Sequence, residues 1–129
     1  MKAETGRRHV GLAGDMAKPA DVRSLVQAAL DELGGRIDVL VNNAGAPGSL
    51  DRTLVVELSD EAWDTVIETN LKGTFVTSRA VARAMLARGV RGRIINMSSQ
   101  WGKKGGPRRA AYCASKFGII GFTQSLAQE

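Results

Sequence analysis

Apolar residues recur along this chain at two different periods, and the switching between them is its main structural signal. Val22, Leu25, Val26, Ala29, Leu30 and Leu33 fall at i, i+3, i+4, i+7, i+8 and i+11, the stripe of an amphipathic helix. Pro19 suits the first turn of that helix, and Asp21 places negative charge near its positive end. Lys18 is a poor N-cap, whereas Gly34-Gly35 forms a clear stop. Ile37-Asp38-Val39-Leu40-Val41 is nearly continuous in apolar residues, as expected of a strand covered on both faces, and it breaks at Asn42-Asn43-Ala44-Gly45. Ser59 is placed to cap a long helix reaching Arg88, with Trp63, Val66, Ile67, Leu71, Phe75, Val81, Met85 and Leu86 as candidate buried positions. Arg93-Ile94-Ile95-Asn96-Met97-Ser98 predicts another strand, and a final helix is predicted from about Tyr112 through Phe117, Ile120 and Leu126. Near the start, Val10 to Gly14 predicts a short, weak strand ending at Asp15. Strands alternating with helices argue for an α/β fold, a parallel sheet with helices on its faces.

Composition narrows the function classes. A chain of 129 residues, 43% hydrophobic and 24% charged, suits one soluble globular domain. The net charge of +5 is concentrated locally, because residues 101–116 hold Lys103, Lys104, Arg108, Arg109 and Lys116 and no acid. That basic loop reads either as a solvated surface or as an attraction for a phosphate or carboxylate on a cofactor or substrate. Beyond Trp101 and Tyr112 no aromatic residues interleave with these charges, so no nucleic-acid partner is expected. Cys113 is the only cysteine and His9 the only histidine, which predicts no internal disulfide and no metal site. Residues 1–8 lack the apolar core of a signal peptide, and no run approaches the roughly 18 apolar residues of a membrane span. A cytoplasmic protein without membrane attachment is the expectation.

The chemistry concentrates in Tyr112-Cys113-Ala114-Ser115-Lys116, with Ser99 thirteen residues before Tyr112. In a helix Tyr112 and Lys116 share a face, at i and i+4. An ammonium held beside a phenol favours the phenolate and so suits it to acid–base work near neutrality. Ser99 ends a strand-like run, where its hydroxyl can pair with a carbonyl or carbinol oxygen beside the phenol. A tyrosine and a lysine four residues apart are common, so the weight falls on Ser99 and on motifs farther upstream.

Those motifs are Asn42-Asn43-Ala44-Gly45 and Thr69-Asn70. Together with Ser99 and Tyr112-x-x-x-Lys116, their order and spacing resemble the classical short-chain dehydrogenase/reductase family over residues 6–129. That branch includes 3-oxoacyl-acyl-carrier-protein reductases and sugar-alcohol dehydrogenases. The resemblance implies a Rossmann-type doubly wound parallel sheet and an NAD(P)-dependent enzyme interconverting a secondary alcohol and a ketone. It implies Tyr112 as acid/base, Lys116 as the residue that tunes it and holds the nicotinamide ribose, Ser99 as the group orienting the substrate oxygen, and Asn70 as support for a water that passes the proton on. Asn43, Ala44 and Gly45 would line the cofactor site, and Asp15 and Met16 match a pair that contacts adenine. A small-molecule alcohol or ketone substrate and a homo-oligomer, dimer or tetramer, are implied with it. The predicted strand ends agree, because open α/β sheets bind ligands at the carboxyl ends of their strands.

One departure from the family pattern is large. The glycine-rich turn that seats a pyrophosphate on a helix N-terminus has no match; Gly11-Leu12-Ala13-Gly14 and Gly102-Lys103-Lys104-Gly105-Gly106 have the wrong spacing or place. Residues 1–129 are therefore expected to form a single incomplete NAD(P)-binding Rossmann-like domain, resembling strands 3, 4 and 5 of the fold with flanking helices. NAD and NADP are not distinguished, because the residue that usually decides follows strand 2. The alternative reading is a truncated, catalytically incompetent remnant or assembly module of such an enzyme.

Overall fold

A computed structural model describes Gly6 and residues 9–129; most of the segment read above for a signal peptide lies outside the described residues. Helix α1 spans Pro19–Glu32, strand β1 Val39–Asn42, helix α2 Asp60–Ile67, helix α3 Gly73–Ala87, strand β2 Arg93–Asn96 and helix α4 Ala110–Gln128. The strands pair in parallel, from Val39 opposite Arg93 to Asn42 opposite Asn96. Both therefore end on the same side of the molecule, and both ends carry residues of the predicted site.

Helix α1 starts at Pro19 as its sequence predicts, and Lys18 makes no side-chain cap. Asp15 orders the entry instead: its carboxylate accepts from Ala17 N–H at 2.9 Å and its carbonyl from Lys18 N–H at 3.0 Å. Val22, Val26 and Leu30 of the predicted stripe are buried, and the helix stops before Gly34 and Gly35, both at positive φ. Val26 and Leu30 meet Val81 and Met85 of α3 in a core that also takes in Leu40 of β1. Burying such aliphatic side chains contributes about 1.5–3 kcal/mol each.

The long helix predicted after Ser59 forms in two parts. Ser59 Oγ accepts from Ala62 N–H at 3.2 Å and caps α2. Residues Glu68–Lys72 then form a π-helical turn before α3 continues. The predicted buried set divides on both sides of this turn. Val66, Val81 and Met85 are buried, whereas Trp63, Phe75 and Leu86 are exposed.

Two further expectations are corrected. Val10 to Gly14 is not a strand: the segment has no regular structure, and Val10 and Leu12 are exposed. A strand exists only through a neighbour's hydrogen bonds, and no described segment pairs with it. The apolar run of β1 is not covered on both faces. Leu40 and Asn42, with Ile94 and Asn96 opposite them, face the helices, while Val39, Val41 and Ile95 on the other face are about half exposed.

Candidate active site

The site grows from the π-turn. Asn70 lies within it and is 1% exposed. Its carbonyl accepts from Thr74 Oγ1 at 2.7 Å. Its side chain bridges two other segments: Oδ1 accepts from Ala46 N–H at 2.6 Å, and Nδ2 donates to Ser115 Oγ at 3.1 Å. Ser115, fully buried in α4, donates in turn to the carbonyl of Tyr112 at 2.8 Å. A buried amide this fully engaged locks the loop after β1 to the first turns of α4. Gly45 follows from that closeness. A Cβ there would stand 3.0 Å from Asn70 Oδ1 and 4.0 Å from Lys116 Nζ, so the missing side chain lets the loop backbone reach both.

Lys116 is 7% exposed, and its Nζ donates to the carbonyl of Met97 at 3.0 Å. Burial holds its ammonium below the ordinary lysine range. The same nitrogen lies 5.6 Å from the centre of the Tyr112 ring. An ammonium has three donors, and one protein acceptor leaves two to aim elsewhere. Closely spaced hydroxyls, such as a ribose diol, match that donor set. Ser98 Oγ donates to the carbonyl of Lys116 at 2.8 Å, fastening α4 to the end of β2. Ser99 Oγ accepts from Trp101 N–H at 3.3 Å at the start of a short 3₁₀ turn, Gln100–Gly102.

Thus Gly45, Asn70, Tyr112 and Lys116 converge, with Ser99 two residues from the carbonyl that holds Lys116. Asn43 and Ala44 follow β1 directly and are exposed. Asp15 and Met16 stand apart from this cluster: Asp15 is exposed and paired with Lys18 at 3.5 Å. The Met16 carbonyl is packed where a Cβ on Gly73 would come within 2.8 Å, so this loop touches α3 one turn beyond Asn70.

Several residues of the site escaped the sequence reading. Asn42 is more than a turn residue. Its Nδ2 donates to Ser78 Oγ at 2.9 Å and to Asn96 Oδ1 at 2.8 Å, and Asn96 Nδ2 donates to Thr123 Oγ1 at 3.0 Å. This polar chain ties both strand ends to α3 and α4. Ser115, between Tyr112 and Lys116, has its partner Asn70 45 residues away. Asp51, 61 residues before Tyr112, is fully buried with Oδ2 accepting from Tyr112 N–H at 2.9 Å. Nothing local in the sequence marks it. Among the described residues no helix is long and apolar enough to cross a membrane.

A sequence profile described as short chain dehydrogenase matches residues 1–129. The chain is 40% identical over 119 residues to a 3-oxoacyl-acyl-carrier-protein reductase of Vibrio cholerae, covering 92% of this chain and 47% of that protein. It is 40% identical over 124 residues to a 2-dehydro-3-deoxy-D-gluconate 5-dehydrogenase of Dickeya dadantii, covering 96% and 47%. Among solved structures, an actinorhodin polyketide ketoreductase variant crystallised with NADPH superposes with a TM-score of 0.82 at 44% identity, covering 90% of this chain and 43% of that one. The chain spans about half the length of these relatives. The likeness identifies the layer of β1, β2 and their helices as part of a Rossmann-type parallel α/β fold.

Proposed function

Because the chain belongs to the short-chain dehydrogenase family, a family of oxidoreductases, we propose that it carries the proton-handling part of an NAD(P)-dependent enzyme interconverting a secondary alcohol and a ketone. The observation that carries this reading is the hydrogen-bonded path from the Gly45–Ala46 loop through Asn70 and Ser115 to the helix bearing Tyr112 and Lys116. NAD or NADP, when bound, supplies or accepts the hydride. Tyr112 gives its phenolic proton to the substrate oxygen in reduction and takes it back in oxidation. Lys116 supports the phenolate and would offer its two remaining donors to the nicotinamide ribose, a role its single protein acceptor suits. Ser99 orients the substrate oxygen, and Asn70 supports the onward path of the proton. Asn43, Ala44 and Gly45 would line the end of β1 beside the adenine side of the cofactor, and Asp15 and Met16 would contact adenine.

The substrate class is that of a 3-oxoacyl-acyl-carrier-protein reductase or a sugar-alcohol dehydrogenase, in keeping with the names of the relatives. We read residues 1–129 as a single NAD(P)-binding Rossmann-like domain that is incomplete. Val39, Val41 and Ile95 present an apolar sheet face that the described helices leave open. No described residues form a glycine-rich strand–turn–helix for the pyrophosphate. The same features favour a second reading, in which this chain is a catalytically incompetent remnant or an assembly module forming a dimer or tetramer. Fluorescence titration with NADPH and NADH separates the two: saturable binding supports the enzyme, and no binding supports the remnant. In the full chain, Tyr112→Phe is expected to abolish ketone reduction while leaving cofactor affinity within about threefold; retained turnover would exclude Tyr112 as the acid.

A further inference from the structure

We propose that Asp51 is a positioning residue that sets Tyr112, acting from the loop between β1 and α2. Helix α4 begins without a cap of its own. Arg108 enters it at φ 55°, a left-handed conformation uncommon outside glycine, and Arg109 at the N-cap position makes no side-chain bond to the helix. Asp51 supplies the missing acceptor from 61 residues away: its Oδ2 takes the Tyr112 N–H at 2.9 Å.

The same loop grips Tyr112 at a second point. A Cβ on Gly48 would stand 3.3 Å from Tyr112 Cγ, and the Gly48 carbonyl accepts from an Arg109 guanidinium nitrogen at 3.5 Å. Backbone and ring of Tyr112 are thus both held by residues 48–51.

The chemistry of Asp51 argues for more than packing. It is fully buried, and its Oδ1 has no hydrogen-bond partner. A buried carboxylate left half satisfied is costly to a fold, and a neutral amide would fill the space with one acceptor intact. Its Oδ2 also sits at the positive end of a 19-residue helix, where an acceptor is favoured. The carboxylate therefore anchors the one turn of α4 whose displacement would carry the phenol out of register with Asn70 and Lys116.

This inference rests on the reading of Tyr112 as the proton donor, and the test separates the two. Asp51→Asn keeps an acceptor for Tyr112 N–H; Asp51→Ala removes it. In the full chain, amide hydrogen exchange at Tyr112 is expected to accelerate in Asp51→Ala and stay slow in Asp51→Asn. Turnover is expected to fall about ten- to a hundredfold in Asp51→Ala, with KM for cofactor unchanged, and to remain within about threefold in Asp51→Asn. Faster exchange with undiminished turnover, in a protein that Tyr112→Phe inactivates, would overturn the positioning role and leave the assignment of Tyr112 intact. Undiminished turnover in Tyr112→Phe itself would overturn that assignment instead. If Asp51→Ala does not fold, a tenfold or greater loss of turnover in a folded Asp51→Asn would overturn the proposal, since its acceptor is retained.

Discussion

Gly102→Ala is the sharpest test of how α4 is held against β2. Gly102 is buried and its φ is not positive, so alanine meets no backbone penalty there and any effect comes from packing. An ideal Cβ would stand 2.7 Å from the carbonyl oxygen of Lys116 and would clash with Ser98 Oγ. Ordinary contact begins near 3.4 Å, so the two backbones must part by about 0.7 Å. Ser98 could rotate away only by giving up its 2.8 Å bond to that same carbonyl. Overpacking of this kind costs about 1–3 kcal/mol, and the lost hydrogen bond about 1 kcal/mol more. Where the fold melts cooperatively, that is a fall in Tm of several degrees. The displaced segment is Lys116 itself, so turnover should fall by up to about a hundredfold, as expected for an error approaching 1 Å at a reacting group. The loop contains its own control, because a Cβ on Gly105 meets nothing within 4 Å and its φ is not positive either. Thermal unfolding and ketone reduction would be measured for both variants in the full chain. Should Gly102→Ala match Gly105→Ala in both assays, the inferred contact between the 3₁₀ turn and α4 is wrong.

Burial lowers the Lys116 ammonium below its ordinary 10.5, so between that lowered value and about 10.5 the unfolded chain binds more protons and the fold gains stability as pH rises. In the full chain, Lys116→Met should therefore unfold at higher temperature than the unsubstituted protein near pH 7, with the gap closing toward pH 10; a gap constant with pH would count against the desolvation argument. The bare sheet face should make the isolated 129-residue chain self-associate or melt without a cooperative transition. Sedimentation velocity would show this, with Val41→Lys, at a position 53% exposed, shifting the population toward monomer. A cooperative, monomeric native chain would refute that expectation.

What the sequence made legible depended on how local its cause was. The stripe of α1, the proline at its start and the serine capping α2 are decided within a few residues, and each formed as read. The parallel pair was legible too, because Val39–Asn42 and Arg93–Asn96 have few other uses in an α/β pattern. Val10 to Gly14 failed as a strand because that state depends on a neighbour, not on composition. Trp63, Phe75 and Leu86 were candidate buried positions on apolar character, and all three are exposed, while the π-turn at Glu68–Lys72 carries no composition signal. At the site, Tyr112, Lys116, Asn70 and Gly45 lie close together as their motifs suggested. Asp51 and Ser115 were missed because their importance lies in hydrogen bonds to segments 61 and 45 residues away.

The wide turn at Glu68–Lys72 also acts as a phase shifter. One residue of an α-helix is worth about 100° of rotation, so adding a residue within a continuous rod turns everything beyond it through about that angle. The rod can then work like a shaft with two offset cams. Its first half, α2, engages α4, and its second half, α3, engages α1 and β1. A straight α-helix of the same length would present one stripe and could serve only one of those neighbours well. The offset falls on the residue that must look toward both the loop after β1 and the helix of Tyr112. Chain length in this stretch is therefore constrained as well as the identity of Asn70: a single deletion would heal the helix locally and leave its two halves facing the wrong partners.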